Sequence, residues 1–309
     1  MHIVFLSARY PPDVLGGGEI STQILAEALV DAGELVTVFC GDERTRDERV
    51  NGVRVQRLQQ LNSWRSKPLM EEPVSRTLAG VLEGILGALS PRPDVIHAHE
   101  FRSALTLAVL RHRSRVATIR DFAPICGTTN NMWWDGSSCT GCFWPNVLFR
   151  CHRVTEASLA RKPFRVWQYK GNLGFRVRSF RAIPTLVYTS QVLKNRVEGR
   201  LRPPSGERSR GAAGARRSVV IPNAVDPFWL AKNPTPPPQK LTLCAVGRLE
   251  TTKGTDILLA AFAAVRKEIP GATLHLVGGG EIPRYVSRAR ELGIAHAVTF
   301  HGPIAPLTV

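Results

Sequence analysis

Two cations stand five residues apart on a short loop in the C-terminal part of the chain. Arg248 and Lys253 lie between a predicted strand and a predicted helix. A planar guanidinium and a compact ammonium suit the two phosphates of a nucleoside diphosphate, and a helix N-terminus favours the same anion. An ordinary solvated loop is the alternative. Gly279 and Gly280, in a turn after the next predicted strand, favour the phosphate site because they stand at the same end of the sheet.

A second glycine-rich loop follows the first predicted strand. It contains Gly16, Gly17 and Gly18, directly before a predicted helix. At the carboxyl end of a parallel strand, glycines let backbone N–H groups approach a phosphate. The Gly-x-Gly-x-x-Gly spacing of dinucleotide sites is missing. The loop is therefore interpreted as either a phosphate cradle or a flexible turn.

Four of the six cysteines are clustered within 26 residues: Cys126, Cys139, Cys142 and Cys151. Two of them are separated by two residues, a spacing typical of thiolate metal sites. A structural zinc is the first hypothesis, an iron–sulfur cluster is chemically compatible, and unligated thiols in an irregular loop are the alternative.

The net charge of +16 is concentrated in one segment. Residues 150–217 contain 17 Lys and Arg but only three Glu, so this segment attracts phosphates of lipids, nucleic acids or substrates. Aromatic residues alternate with the cations in residues 161–181, which suits a membrane interface or stacked nucleic acid bases. We favour peripheral membrane contact and do not expect a nucleic acid partner. Gly171 and Gly174 are expected to weaken any single long helix there.

The apolar runs are too short to cross a bilayer, and residues 1–10 resemble a core strand rather than a signal peptide. We therefore expect a cytoplasmic protein, in contact with the inner face of the membrane. A length of 309 residues with 43% hydrophobic content favours two domains.

Alternating strand and helix patterns predict an α/β fold with parallel, doubly wound sheets. The pattern restarts after a proline-rich stretch and then stops after three strands and two helices, so the second domain is expected to be incomplete and the chain truncated. The predicted divisions are an acceptor-side domain in residues 1–198, a basic flexible loop in 199–217, a last strand and linker in 218–239, and a partial donor-binding domain in 240–309.

The order of the short motifs resembles that of the family 4 glycosyltransferases. The matching segments are residues 11–19 (PPDVLGGGE), 94–99 (DVIHAH), 187–190 (VYTS), 221–226 (IPNAVD), 246–254 (VGRLETTKG), 276–280 (LVGGG) and 300–302 (FHG). The resemblance covers nearly the whole chain, and its motifs are weak singly but specific together. It implies a GT-B fold with two Rossmann-like domains facing across a cleft, and sugar transfer with retention and without a required metal.

The resemblance also implies roles for particular residues. The loop with Gly16, Gly17 and Gly18 would lie against the donor phosphates, Arg248 and Lys253 would neutralise the diphosphate leaving group, and Gly279 and Gly280 would lie beside the donor. No nucleophilic cysteine is implied.

Arg120 and Asp121 depart from the family pattern, which often has His before this Asp. The Arg–Asp form resembles a cysteine-bearing subgroup, so both residues are candidate catalytic residues, with a structural ion pair as the alternative. His97 and His99 are expected to point to opposite faces of their strand, as hydrogen-bonded core residues. The family's paired glutamates, seven residues apart, have no match before Val309.

The sequence thus predicts a glycosyltransferase that uses a nucleotide-sugar and a saccharide or lipid-linked acceptor in glycan, glycolipid or cell-envelope synthesis. A truncated, inactive sugar-nucleotide- or membrane-binding module is the alternative.

Overall fold

The computed structural model describes residues 1–133, 137–151, 161–202, 216–225 and 241–304, except for the side chain of Trp144. The chain divides into two compact units, Met1–Ala231 and Lys232–Val309. Most of the predicted basic loop and the predicted proline-rich linker lie outside the described residues.

Unit 1 (Met1–Ala231) is built on an eight-stranded sheet with the order β3-β4-β2-β1-β5-β6-β7-β8. Its strands are β1 (His2–Ser7), β2 (Leu35–Gly41), β3 (Arg46–Val50), β4 (Val53–Leu58), β5 (Val95–Ala98), β6 (Arg115–Ile119), β7 (Thr185–Tyr188) and β8 (Arg217–Val220). All neighbouring strands are parallel except β3 and β4. Every residue of β1 is buried, as expected for a central parallel strand covered on both faces.

Helices cover both faces of this sheet. They are α1 (Gly17–Asp31), α2 (Glu71–Gly87), α3 (Phe101–Val109), α4 (Trp144–Phe149), α5 (Lys162–Ala182) and α6 (Gln191–Leu201). Apolar residues of α1 pack with one face of β1, whereas α2, α3, α5 and α6 pack on the core that contains the other face. The predicted α/β fold with a parallel, doubly wound sheet is confirmed.

Two elements of unit 1 differ from the sequence expectation. The β3–β4 hairpin was not predicted, because the first strand is charged and lacks apolar alternation; Asn51 and Gly52 form its turn with φ values of 47° and 83°. Gly171 and Gly174 were expected to weaken any single long helix in the basic segment, but α5 continues through both. Its buried Phe175 and Phe180 anchor the helix to the core, which outweighs the low helix propensity of glycine.

Unit 2 (Lys232–Val309) contains a parallel three-stranded sheet with the order β11-β10-β9. The strands are β9 (Thr242–Val246), β10 (Thr273–Val277) and β11 (Val298–Gly302), and the helices are α7 (Thr255–Glu268) and α8 (Ile282–Glu291). Leu259, Phe262 and Tyr285 of the helices pack with Leu274 and Leu276 of β10 in one core. Across both units, none of the described helices combines the length and apolarity that a membrane span requires.

Candidate functional site

The carboxyl ends of the unit 1 strands carry most of its predicted site residues. The strand order reverses between β1 and β5, and ligands of open α/β sheets bind outside such a switch point. The glycine loop follows β1, Glu100 follows β5, and Arg120 and Asp121 follow β6. The topology therefore brings Arg120 and the glycine loop to the same edge.

Arg120 lies directly beneath the glycine loop. A Cβ built on Gly18 would lie 3.8 Å from Arg120 Cδ, while Gly16 and Gly17 face open space. The guanidinium donates to the His99 carbonyl and, at 3.4 Å, to Thr22 Oγ1. Burial lowers the pKa of Arg120, and the charges of Glu19 and Glu100 oppose that shift. Arg120 is thus a fixed, partly buried cation at the start of α1, rather than one half of an ion pair with Asp121.

Arg57 also holds this loop, although nothing in the sequence pointed to such a role. Its guanidinium donates to the carbonyls of Tyr10 (3.0 Å) and Pro11 (2.7 Å) and to Glu48 Oε1 (2.6 Å). The side chain is almost completely buried. Since two of its donor contacts fix backbone carbonyls at the β1 end and a third ties the guanidinium to Glu48 of β3, Arg57 is a positioning residue for the glycine loop.

The expectation that His97 and His99 point to opposite faces is wrong. Residues two apart along an extended chain share a face, and the two ring centroids lie 4.0 Å apart. His97 Nε2 is hydrogen-bonded to Thr118 Oγ1 at 2.8 Å, whereas neither ring nitrogen of His99 has a partner among the described residues. Burial lowers the pKa of His97 to about 3 and that of His99 well below its usual value, with Arg120 acting in the same direction.

The lowered pKa values of these two histidines predict that the folded chain loses stability in mild acid. Above pH 6.5 both rings are neutral in the folded and in the unfolded state. Below pH 6.5 the unfolded state binds protons that the folded state does not bind, down to about pH 3 for His97, and the lowered pKa of His99 acts in the same direction. Each group then removes up to about 1.4 kcal/mol per pH unit. We expect His99→Phe, which can pack against Phe5, to lose less stability than the wild type between pH 7 and pH 5, measured by urea unfolding. His296→Gln, an exposed site, is the control; equal losses in all three proteins would contradict the prediction.

Asp121 opens into a cavity of about 310 Å³ in unit 1. Its carboxylate accepts a hydrogen bond from the Ala123 N–H at 2.8 Å. Although water reaches the side chain, the surrounding protein raises its pKa, against the effects of that hydrogen bond and of the Arg176 and Arg102 charges. Further lining residues are Lys67, Phe101, Thr128, Arg165, Tyr169 and Asn172. The cavity therefore contains Asp121, a carboxylate with a raised pKa, among an excess of positively charged side chains.

A buried ion pair forms part of the cavity wall. Arg176 Nε donates to Glu71 Oε2 at 2.7 Å and a second guanidinium nitrogen contacts the other carboxylate oxygen. Arg176 also donates to the carbonyls of Ala123 (3.2 Å) and Cys126 (3.0 Å). The pair thus connects α2 and α5 to the loop that starts at Asp121.

The four clustered cysteines line one small cavity of about 10 Å³. Cys126 and Cys139 are buried, and Cys142 and Cys151 are partly exposed. Burial raises the pKa of the Cys142 thiol, the hydrogen bond with Tyr169 lowers it, and the other three cysteines raise it. In the described part of the chain, no three His, Cys, Asp or Glu side chains are already grouped so that they could hold a metal ion.

In unit 2, the two predicted glycine-containing loops are joined by backbone hydrogen bonds. Leu249 N–H donates to the Gly279 carbonyl at 2.8 Å, and Glu281 N–H donates to the Leu249 carbonyl at 3.0 Å. Gly278 and Gly280 have φ values of 140° and 121°. The structure therefore brings the loop of Arg248 and Lys253 against the turn of Gly279 and Gly280.

Arg248 and Lys253 present their charges to solvent on this paired loop. The Arg248 side chain is 61% exposed, with a 3.4 Å contact to Glu250 Oε1. Lys253 is exposed, and the left-handed Gly254 (φ 75°) leads directly into α7 without a side-chain cap. Uncapped N–H groups and two cations next to them form an anion-binding arrangement.

Gly278→Ala is expected to destabilise unit 2, because an added Cβ would lie 2.0 Å from the Gly247 carbonyl oxygen. The backbone conformation alone costs about 1–2 kcal/mol for an L-residue. Hydrogen exchange of unit 2 amides should accelerate by roughly tenfold or more. Gly279→Ala is the matched control, since a Cβ there meets nothing within 4 Å. Equal protection in the two variants would show that the close approach is absent.

Comparisons with known proteins agree with this architecture. Residues 16–207 match the glycosyl transferase 4-like domain, and residues 240–308 match the glycosyl transferases group 1 domain. An uncharacterised 42.6 kDa protein in the cps region of Klebsiella pneumoniae is 30% identical over 141 residues, which cover 40% of this chain and only 37% of that protein. The glycogen synthase of Mycobacterium tuberculosis is 26% identical over 325 residues, covering 98% of this chain and 67% of that protein. A TarM mutant from S. aureus, solved in complex with UDP, superposes with a TM-score of 0.61 at 9% identity, covering 98% of this chain and 78% of that one.

Proposed function

Since the chain belongs to the glycosyl transferase 4-like family, a group of glycosyltransferases, we propose that it transfers a sugar from a nucleotide-sugar donor to an acceptor with retention. The paired loops of unit 2 carry this proposal. They expose Arg248 and Lys253 beside the uncapped start of α7, where a diphosphate would meet two cations and free N–H groups. UDP in the complex of the structural neighbour TarM supports a nucleoside diphosphate as ligand class.

The cations have a direct role in the proposed chemistry. As the bond between the sugar and the diphosphate breaks, negative charge grows on the leaving phosphate, and fixed cations stabilise that charge in the transition state. Arg248 offers a planar fork and Lys253 a mobile point charge. With these two groups available, we propose that the transfer step needs no metal. Gly16, Gly17 and Gly18 remain predicted phosphate contacts of unit 1, and Arg120 remains a predicted catalytic residue.

We propose that the 310 Å³ cavity of unit 1 receives the acceptor. Asp121, whose pKa is raised, can accept a proton from an acceptor hydroxyl, and the side chains of Asn172 and Thr128 in the cavity wall can hydrogen-bond to a sugar. The Klebsiella relative from a cps region is consistent with glycan or cell-envelope synthesis.

Contact with a membrane surface is a further proposal. Phe143, Phe149, Phe164 and Trp167 are exposed on and beside α4 and the first turns of α5, where Lys162 and Arg165 also stand. Aromatic rings next to cations suit an anionic bilayer surface and a lipid-linked acceptor. The double variant Phe164→Ser/Trp167→Ser should co-sediment less than the wild type with phosphatidylserine vesicles, while Ile257→Ser, exposed on α7, should not change. Equal sedimentation of all three proteins would exclude this surface.

The function is tested by calorimetric titration with UDP-, GDP- and ADP-sugars, with nucleoside monophosphates as controls. A donor that binds is then incubated with the chain, and the released nucleoside diphosphate is quantified. Binding of at least one nucleotide-sugar followed by nucleotide release supports the proposal. Binding without release would leave the alternative of a sugar-nucleotide-binding module, and no binding to any donor would overturn both.

A further inference from the structure

The four clustered cysteines come from separate parts of an irregular segment yet line one small cavity. Cys126 belongs to the loop after β6, Cys139 and Cys142 lie in the irregular stretch before α4, and Cys151 follows α4. All four line the same cavity, whose volume is about 10 Å³. This is close to the smallest volume that holds one water molecule. Trp133 and Tyr169 close its sides.

This part of the fold has little regular secondary structure and a small apolar core. The described residues between β6 and α5 contain one six-residue helix and one isolated bridge between Met132 and Ser138. Their apolar cluster is small, with Val147, Val166 and Tyr169 as its buried members. Segments with so small a core are commonly held by disulfides or by a structural metal.

Three cations contact residues that line the cavity or adjoin its lining. Lys170 Nζ donates to the Cys142 carbonyl at 2.6 Å, and Arg200 donates to the Thr140 carbonyl. The Arg150 guanidinium lies 4.7 Å from the centre of the Trp133 ring. A divalent ion with four thiolates carries a net charge of −2, which nearby cations and backbone dipoles stabilise. The charges around the cavity therefore fit a metal–thiolate centre.

We propose that Cys126, Cys139, Cys142 and Cys151 bind one tetrahedral divalent ion of the zinc class. Four sulfurs with no open position correspond to a structural zinc site. The thiols are not yet disposed as ligands: Cys126 Sγ is 3.0 Å from Thr128 Oγ1, and Cys142 Sγ is 3.3 Å from the Tyr169 hydroxyl. Binding exchanges these weak contacts for metal–sulfur bonds through side-chain rotation within the cavity.

The site has a consequence for the neighbouring cavity. Thr128 and Tyr169 line both the cysteine cavity and the 310 Å³ cavity that contains Asp121. The loop of Cys126 is also held by the Arg176 guanidinium through its carbonyl. A metal at the four sulfurs would thus fix the wall of the larger cavity, a positioning role distinct from any contact with the reacting sugar.

The metal content of the purified full chain tests the proposal. Elemental analysis should find about one zinc per chain, as a single tetrahedral site requires. Cys139→Ser and Cys142→Ser should each lose most of it, while Cys244→Ser, an exposed cysteine of unit 2, should keep it. Thermal unfolding by tryptophan fluorescence should shift to lower temperature on chelation in the wild type and in Cys244→Ser.

Because the cysteine variants could misfold, cobalt substitution of the wild type gives an independent measurement. Four thiolates produce strong sulfur-to-cobalt charge-transfer absorption, which three or fewer reduce. A folded chain that contains no metal, even after anaerobic reconstitution with zinc, would overturn the proposal. Iron with labile sulfide would overturn the mononuclear assignment, and disulfides between these cysteines would overturn it as well. None of these outcomes depends on the diphosphate site, which uses residues of unit 2.

Discussion

Arg176→Met is expected to lower the unfolding free energy of unit 1 by about 3–5 kcal/mol, because it leaves the buried Glu71 carboxylate without its partner. The two side chains are each only 7% exposed, so water cannot replace the lost contacts. The carbonyls of Ala123 and Cys126 also lose a donor. All six tryptophans lie in unit 1, so urea unfolding followed by tryptophan fluorescence reports on this unit alone.

Two controls separate the buried charge from a general packing effect. The double variant Glu71→Met/Arg176→Met removes both charges and should recover much of the loss, since apolar replacements of whole buried pairs are often nearly neutral. Arg76→Met breaks the exposed pair with Glu72 and should change stability by less than about 1 kcal/mol. If the single and double variants were equally unstable, the unpaired carboxylate would not be the cause.

Arg248→Ala and Lys253→Ala are each expected to weaken nucleoside diphosphate binding roughly 10- to 100-fold. Charge-assisted hydrogen bonds contribute about 1.5–3 kcal/mol each, which corresponds to that range. Both side chains are exposed, so their removal should leave the fold of unit 2 unchanged. Calorimetry with the tightest-binding nucleoside diphosphate gives the measurement.

Lys267→Ala is the matched control, because Lys267 stands in the last turn of α7, roughly 20 Å along the helix from Lys253. It removes the same charge from unit 2 without touching the paired loops. The affinity of this variant for the nucleoside diphosphate should stay within a factor of about two of the wild-type value. Equal weakening in all three variants would indicate a general charge effect and would remove the loop from the donor site.

The parts of the fold with local signals could be predicted. Apolar strand patterns predicted that the Gly247–Gly254 loop and the Gly279–Gly280 turn each follow a strand, at the same end of one sheet. The structure joins the two loops by backbone hydrogen bonds. The two loops could be predicted to lie close together because the carboxyl ends of parallel strands meet at one edge of the sheet.

Contacts between residues far apart in the sequence had no such local pattern. Arg57 is 46 or more residues from the carbonyls that it holds, and Arg176 is 105 residues from Glu71. Side-chain type and spacing say nothing about pairs that only tertiary packing brings together. The β3–β4 hairpin was missed for a related reason, since cross-strand pairs such as Arg54 with Asp47 replace the usual apolar alternation.

Tertiary packing also reversed a local preference in α5. Gly171 and Gly174 lower helix propensity, yet the buried Phe175 and Phe180 anchor the helix to the core of unit 1. The convergence of the cysteines belongs to the same class of information: their spacing suggested a site, and only the fold shows that all four reach one cavity.

A crystal structure of the chain with the tightest-binding nucleoside diphosphate tests the central claim most directly. We predict phosphate oxygens at about 3 Å from the Arg248 guanidinium and the Lys253 ammonium, beside the turn of Gly279 and Gly280. A diphosphate that touches neither cation, for example one held by Lys67 and Arg165 in the unit 1 cavity, would contradict the proposed donor site.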